Sequence, residues 1–326
     1  MVDRLSFLRG QERAASLMRR YLASGNVPAG LLFHGEEGTG KERAAQALLA
    51  AILCRNRNED GACGECHDCR LVSSGAHPNF MRVQPENHFI QIAGIRALKE
   101  ELSLKAFSDR PRAALICPAD RMTIQAANAL LKTLEEPPPA THLLLVAHRL
   151  SMLPPTIVSR CQKIPFQAMA PEIVEEILSA LPDVGKKRSP GAIRAAAACA
   201  GGSPGRALLL LDEMEEGRQA WAGLFSRPDP SAVFAASEAW RKSGEREGQA
   251  AVPLSIARDL ALLSSGGKAD IINDDLKDAL SAAAGRKTGD GWSRAFRELL
   301  SMSRLPPQVQ KRLALEAFLF GLHGKD

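Results

Sequence analysis

A glycine-rich loop between a short apolar run and an alanine-rich helix constrains this chain more than any other feature. The loop has the pattern G-x-x-x-x-G-K, and it reads Gly-Glu-Glu-Gly-Thr-Gly-Lys-Glu over residues 35–42. In a loop of this type the backbone N–H groups surround phosphates, the lysine reaches the β- and γ-phosphates, and a following Ser or Thr holds Mg²⁺. The pattern therefore predicts a phosphate-binding loop made of Gly35, Gly38, Thr39, Gly40 and Lys41.

The loop keeps this shape but lacks part of the chemistry. Glu42 stands where the hydroxyl that binds Mg²⁺ is expected. Glu36 and Glu37 add two carboxylates to the loop itself, where phosphates would bring more negative charge. Because these carboxylates and the phosphates of a nucleotide would repel each other, the sequence predicts that Mg-ATP binds weakly or not at all.

The strand that should carry the metal-binding carboxylate ends without one. Residues 113–116 form a buried apolar run, and Cys117 and Pro118 follow where a Mg²⁺-binding Asp and a water-activating Glu are expected. A neutral thiol is a poor ligand for Mg²⁺, and proline has no basic side chain. Asp120 comes later, where we expect it to cap the next helix. We interpret the site as that of a former ATPase. The alternatives are an active ATPase that uses Glu42 as a Mg²⁺ ligand, and a glycine turn without a nucleotide.

Predicted strands and helices alternate over the first half of the chain, which indicates a parallel sheet with helices on both faces. After Phe166 only helices are predicted. The sequence therefore predicts an α/β domain over residues 1–167, a small helical domain over 168–211 and an all-α C-terminal domain over 212–326.

A cluster of cysteines interrupts the α/β domain within residues 54–79. Four of the seven cysteines follow the pattern C-x8-C-x2-C-x2-C, at Cys54, Cys63, Cys66 and Cys69. Four thiolates in a compact loop suit tetrahedral Zn²⁺, so we predict one structural zinc ion. An iron–sulfur cluster is the alternative, although the Cys-Pro typical of that motif is absent because Arg70 follows Cys69. His67 is an alternative fourth ligand.

Composition excludes some classes of protein. No apolar run reaches the ~18 residues of a transmembrane helix, so no membrane is expected. The N-terminus lacks the apolar segment of a signal peptide, and clustered free cysteines are typical of the reducing cytoplasm. The net charge of +5 permits contact with nucleic acid without requiring it.

Several stretches together carry a resemblance to a known family. They are Gly10-Gln11-Glu12, the glycine loop, the four cysteines, the run Ala-Ala-Asn-Ala-Leu-Leu-Lys-Thr-Leu-Glu-Glu-Pro-Pro over 126–138, and Leu-Pro-Pro-Thr-Ile-Val-Ser-Arg-Cys over 153–161. In these residues the chain resembles the clamp-loader subunits of bacterial DNA polymerase III, which are AAA+ proteins. The resemblance covers residues 1–211 well, and the last third only as a helical domain.

The resemblance implies a function and a set of partners. Clamp loaders are five-subunit assemblies that use ATP to open a ring-shaped sliding clamp and place it on primed DNA. The implied partners are an ATPase motor subunit and the delta subunit, with the clamp and primed DNA reached through the complex. The incomplete loop favours a subunit that does not hydrolyse ATP, a stator, over the alternative, an active motor subunit of the gamma/tau type.

The resemblance also implies roles for two arginines and three domains. Arg160 matches an arginine finger that acts on ATP in the adjacent motor subunit, and Arg206 matches the position of the second-sensor arginine. Residues 1–167 would be the AAA+ domain with the zinc module at 54–79. Residues 168–211 would be the lid, and 212–326 the collar through which subunits assemble.

Overall fold

The computed structural model describes residues 4–104, 110–227, 229–242, 250–267, 270–305 and 310–322. The chain forms two compact units, Met1–Ala170 and Pro171–Asp326. Within the described ranges, no helix combines the length and the apolar character that a membrane span requires.

The first unit contains a five-stranded parallel sheet, as the alternating pattern predicts. Its strands are β1 Gly30–His34, β2 Phe80–Val83, β3 Arg112–Ile116, β4 Thr141–Ala147 and β5 Gln162–Pro165. They lie in the order β2-β3-β4-β1-β5, and every neighbouring pair is parallel. The helices are α1 Glu12–Ser24, α2 Lys41–Leu53, α3 His67–Ser74, α4 Ile92–Ser103, α5 Ile124–Glu135 and α6 Pro155–Val158.

Both faces of the sheet are covered by apolar layers, because successive strand side chains point to opposite faces. Leu31 and Phe33 of β1 pack in the layer under α1 and α2, with Leu48 among their neighbours. Leu32 packs in the opposite layer under α4 and α5, with Leu130. The strands β1, β3 and β4 are therefore buried apolar runs, which is the pattern of a parallel sheet with two covered faces.

Because all strands are parallel, they all end at one edge of the sheet and all begin at the opposite edge. The glycine loop follows β1, and Cys117 follows β3, so both lie at the edge formed by the carboxyl ends of the strands. Arg160 lies immediately before β5, where Gln162 pairs with Leu31, and therefore lies at the opposite edge, where the strands begin. Ligands of open parallel sheets bind at the carboxyl edge, which is the edge where the glycine loop lies and Arg160 does not.

Two elements of the first unit were not expected from the sequence. β5 is an edge strand with Ile164 as its buried apolar residue, and such a short polar run carries little strand signal. α3 lies within residues 54–79, a segment that the sequence suggests is a loop. It forms because Cys66 is its N-cap and accepts a hydrogen bond from the N–H of Cys69.

The second unit is helical throughout the residues that the structure describes there, as predicted. Its helices are α7 Pro171–Ala180, α8 Pro182–Gly185, α9 Pro190–Cys199, α10 Pro204–Ser226, α11 Pro230–Lys242, α12 Ala251–Ser264, α13 Lys277–Ala284, α14 Gly289–Ser303 and α15 Lys311–Gly321. Buried polar groups hold Ile272 and Asn273, shortly before α13, against α12. The fully buried carboxylate of Asp259 accepts hydrogen bonds from the N–H of Asn273 at 2.8 Å and from its side-chain amide at 2.9 Å.

Candidate functional site

The glycine loop has the strand–loop–helix context that the sequence predicts. It leaves the end of β1, and α2 begins at Lys41. Gly35, Gly38 and Gly40 have φ angles of 141°, 75° and 90°. Residues other than glycine rarely adopt such φ angles, so glycine is needed for the loop to turn tightly between the strand and the helix.

Gly35 also has no room for a side chain, which gives a first testable prediction. A Cβ atom at Gly35 would lie 2.1 Å from the carbonyl oxygen of Phe166, whereas at Gly25, with φ +71°, nothing lies within 4 Å. We expect Gly35→Ala to lower the free energy of unfolding by about 3 kcal/mol, since strain and overpacking add. Gly25→Ala is the control and should cost about 1 kcal/mol, from backbone strain alone. Urea unfolding measures both, and equal losses would contradict a packing role for Gly35.

The lysine of the loop is turned inward. Lys41 is 2% exposed, and its Nζ donates a hydrogen bond to the carbonyl of Glu36. The Thr39 hydroxyl donates to the same carbonyl at 2.8 Å. Burial lowers the pKa of Lys41 below its ordinary value, and the negative charges of Glu37 and Asp120 only partly oppose this. The ammonium group therefore already has a partner inside the loop.

The two positions where a Mg²⁺ ligand is expected interact with each other and with an arginine. Glu42 accepts a hydrogen bond from Arg82 Nη2 at 2.5 Å and one from Gln46 Nε2 at 3.2 Å. Burial and the neighbouring Glu42 carboxylate raise the pKa of Cys117 to about 12, so the thiol stays protonated at neutral pH. Arg82, in β2, therefore neutralises the Glu42 carboxylate with its guanidinium. No sequence pattern predicts this contact.

Asp120 does not cap the next helix, so that prediction is wrong. Thr123 is the N-cap of α5, and its hydroxyl accepts a hydrogen bond from the N–H of Ala126. The Asp120 carboxylate instead accepts from the N–H of His148 at 3.0 Å and from that of Arg149 at 3.4 Å. It joins the connections that follow β3 and β4, at the edge of the sheet where the glycine loop lies.

Arg160 is exposed and anchored by its neighbours in sequence. α6 ends just before it, and Cys161, which follows, is buried in the layer under α5. The Arg160 guanidinium contacts the carboxylate of Glu135, with Nε at 2.7 Å and Nη2 at 2.5 Å from the same oxygen. β1 has five residues, so about 15 Å of sheet separates Arg160 from the glycine loop of its own chain.

Arg206 belongs to the second unit, and it lies in the first turn of α10. Its N–H donates a hydrogen bond to the hydroxyl of Ser203, the N-cap, at 3.1 Å. Its side chain is exposed.

The four cysteines come together as their spacing predicts. Their sulfur atoms all lie within 4.8 Å of one another. Three pairs are 3.6 Å (Cys54–Cys63), 3.8 Å (Cys54–Cys66) and 3.9 Å (Cys63–Cys69) apart. Four sulfurs at about 2.3 Å from one ion in a tetrahedron lie about 3.8 Å apart, so this arrangement fits a tetrahedral metal ion. His67 is exposed and outside this group.

Backbone N–H groups donate hydrogen bonds to three of the four sulfurs. The N–H groups of Cys63, Cys66 and Cys69 point at the sulfurs of Cys54, Cys63 and Cys66, at 3.4, 3.4 and 3.5 Å. Hydrogen bonds from the N–H groups of Glu65 and Cys66 lower the pKa of Cys63 to about 6, whereas burial raises the pKa of Cys54 and of Cys69. Donors aimed at sulfur stabilise thiolates, which are the form that binds metal.

The buried carboxylate of Asp68 connects the cysteine module at residues 54–79 to the segment that enters the sheet. Asp68 accepts hydrogen bonds from Arg55 at 2.9 Å and from Arg110 at 2.6 Å. Burial opposes ionisation of Asp68, but the hydrogen bond from Arg55 and the two guanidinium charges outweigh it and hold its pKa below the usual range. Because Arg110 shortly precedes β3, Asp68 links the cysteine loop to the sheet. No sequence pattern predicts this contact.

The first half of the chain is similar to subunits of bacterial DNA polymerase III. A family model described as DNA polymerase III, delta subunit, matches residues 10–170. The DNA polymerase III subunit delta′ of Bacillus subtilis is 38% identical over 170 residues, which cover 52% of this chain and 51% of that protein. The subunit delta′ of Pseudomonas aeruginosa is 38% identical over 177 residues, covering 53% and 52%. Residues 10–170 therefore match the DNA polymerase III delta-prime family.

The match to the delta-prime family is confined to part of the chain. It ends at residue 170, where the first compact unit also ends, and the chain spans about half the length of the curated relatives it matches. The DNA polymerase III subunit gamma/tau of Mycoplasma genitalium is also similar, at 29% identity over 178 residues, 55% of this chain and 29% of that protein. A gamma-subunit-related structure from Thermotoga maritima aligns with 95% of this chain and 98% of its own, with 16% identity and a TM-score of 0.43.

Proposed function

We propose that this chain is the stator subunit of a DNA polymerase III clamp loader, a cytoplasmic subunit that supports ATP-driven loading of the sliding clamp without hydrolysing ATP itself. The main support is the contact between Glu42 and Arg82 beside the protonated thiol of Cys117. A site that must hold Mg²⁺ offers hard oxygen ligands with free lone pairs. Here the carboxylate already binds a guanidinium, and the thiol is neutral.

We further propose that Arg160 is an arginine finger for ATP in a neighbouring motor subunit. Its exposure and its position at the amino edge of the sheet support this role, since the glycine loop of its own chain lies at the opposite edge. A guanidinium that faces the γ-phosphate stabilises the charge of the transition state. The delta subunit is the other proposed neighbour, and the clamp and primed DNA are reached through the complex.

The remaining parts of the chain receive structural roles in this proposal. Residues 1–167 are the AAA+ domain, 168–211 the lid with Arg206 at the second-sensor position, and 212–326 the collar for assembly. The cysteines of the module at 54–79 hold one Zn²⁺, which orders the loop and supplies no reaction chemistry. The sulfur spacings near 3.8 Å support zinc as the ion.

A second candidate is an active motor subunit of the gamma/tau type. The similarity to the gamma/tau subunit of Mycoplasma genitalium favours it, as does the retention of the three glycines and Lys41 in the loop. It requires Glu42 to leave Arg82 and bind Mg²⁺ instead. The two candidates differ in a measurement on the isolated chain.

Titration of the purified chain with Mg-ATP separates these candidates. We expect no binding by calorimetry at micromolar nucleotide and no hydrolysis above the protein-free rate, because Glu42 and Cys117 offer no free Mg²⁺ ligand. A gamma/tau subunit measured in parallel serves as the positive control. Micromolar binding with turnover by this chain would favour the motor subunit and overturn the stator.

A further inference from the structure

The carboxylate of Glu135 engages the side of Arg160 that is best suited to bind phosphate. Glu135 is the last residue of α5, and one of its oxygens accepts from Nε at 2.7 Å and contacts Nη2 at 2.5 Å. The third nitrogen, Nη1, donates to the carbonyl of Thr156 at 3.0 Å. Arginine binds two oxygens of a phosphate through neighbouring N–H groups in one planar fork. All three nitrogens of Arg160 therefore already have acceptors within the chain.

The pair is exposed, which makes it weak and easily exchanged. The side chains of Arg160 and Glu135 are 36% and 47% exposed. Exposed ion pairs contribute little to folding, because water and salt screen the charges. A nucleotide phosphate carries more negative charge than one carboxylate and offers more acceptor oxygens, so it can displace Glu135 from the guanidinium.

The chain fixes Glu135 beside Arg160. Glu135 lies in the last turn of α5, and the next residue, Glu136, precedes Pro137, which disfavours continuation of the helix. In the residues that the structure describes, Glu136 makes no ion pair with Arg160. The two adjacent glutamates thus differ in whether they contact Arg160. A substitution of Glu136 is therefore a matched control for the same substitution of Glu135.

We propose that Glu135 is a latch that holds Arg160 in a resting position until the γ-phosphate of a nucleotide on a neighbouring subunit displaces it. This inference rests on the proposed role of Arg160 as a finger. In the latch the Glu135 carboxylate balances the positive charge of the resting guanidinium and orders it. Hydrolysis in the neighbour is then reduced unless assembly brings a phosphate close enough to compete. Glu135 acts through Arg160 and is a positioning residue, with no contact to the reacting atoms.

The test in the assembly compares loaders rebuilt with five chains at subsaturating ATP, without clamp or DNA. The chains are wild type, Glu135→Gln, Glu136→Gln, Arg160→Ala and the double variant Glu135→Gln with Arg160→Ala. We expect Glu135→Gln to raise kcat/KM for ATP about two- to fivefold, the factor that corresponds to one exposed ion pair. Glu136→Gln should match wild type, and the double variant should match Arg160→Ala.

The outcomes separate the latch from the finger. If Arg160→Ala lowers hydrolysis while Glu135→Gln leaves it unchanged or lowers it, the finger stands and the latch is wrong. An increase from Glu135→Gln that persists without Arg160 also overturns the latch, because Glu135 would then act by another route. If Arg160→Ala equals wild type, the finger fails, and the latch fails with it.

A second readout uses the isolated chain and does not depend on activity. Proton exchange at the Arg160 Nε–H, followed by ¹⁵N NMR, reports whether that group is hydrogen-bonded. We expect faster exchange in Glu135→Gln than in wild type, and wild-type exchange in Glu136→Gln. Equal rates in all three chains would show that Glu135 does not hold the guanidinium in solution, and the latch would be rejected.

Discussion

Replacing Arg160 by alanine is expected to lower ATP hydrolysis at the neighbouring site of an assembled clamp loader by about 10³-fold or more. An arginine finger contributes this much because the γ-phosphate gains charge-assisted hydrogen bonds mainly in the transition state. The isolated chain should fold as before, since the Arg160–Glu135 pair is exposed and such pairs are worth at most about 1 kcal/mol. Single-turnover hydrolysis in rebuilt complexes, stimulated by clamp and DNA, measures the effect.

Two further variants make the Arg160 result specific. Arg160→Lys should restore only part of the rate, because an ammonium cannot bind two phosphate oxygens in a planar fork. Arg96→Ala removes another exposed arginine of the same unit, on α4, and should leave the rate unchanged. If Arg160→Ala, Arg160→Lys and wild type hydrolyse ATP equally, Arg160 is an ordinary surface residue and the mechanism in trans is wrong.

The sequence predicted the parts of the fold whose signals are local. The apolar runs of β1, β3 and β4 and the alanine-rich α2 are each specified by a few consecutive residues. The cysteine cluster was also predictable, because closely spaced thiols in a short loop have few arrangements other than a shared ion. A helix within the cysteine module was missed, since a cysteine is not among the usual N-cap residues.

The long-range contacts at both edges of the sheet could not be predicted in the same way. Glu42 and Arg82 are 40 residues apart in sequence, and they meet only because α2 and β2 are neighbours at one side of the sheet. Glu135 and Arg160 meet because α5 ends beside the segment that enters β5. A motif shows which residue types are present, but the partners of a charged side chain depend on the packing of the complete unit.

Loss of the metal ion is the second large effect that we expect. Cys66 is the cysteine to replace, since it is both a candidate ligand, 3.8 Å from Cys54 in sulfur-to-sulfur distance, and the N-cap of α3. Serine is similar in size and offers a hydroxyl oxygen that can cap α3 in place of the sulfur, but it removes the soft thiolate that zinc prefers. Metal analysis of freshly purified, reduced protein should find one Zn²⁺ per wild-type chain and none in Cys66→Ser.

The consequence for structure should be confined to the cysteine module. Binding of a structural zinc ion is coupled to folding of its loop, so hydrogen exchange within residues 54–79 should accelerate when the ion is lost. The sheet should stay folded, because its apolar layers consist mainly of residues outside this module. Cys199→Ser is the control: this cysteine lies in the second unit, outside the four-sulfur group, and its replacement should leave the metal content unchanged.

The metal measurement also decides between the ions that the cysteine pattern allows. Iron in the wild-type chain would indicate an iron–sulfur cluster instead of structural zinc. Absence of any metal would indicate that the four thiols lie together without a bound cation. Both results contradict the zinc prediction but leave the finger intact, because Arg160 and its contacts lie outside residues 54–79. Zinc that persists in Cys66→Ser would instead show that the remaining three thiolates suffice, and the four-ligand closed site would be wrong.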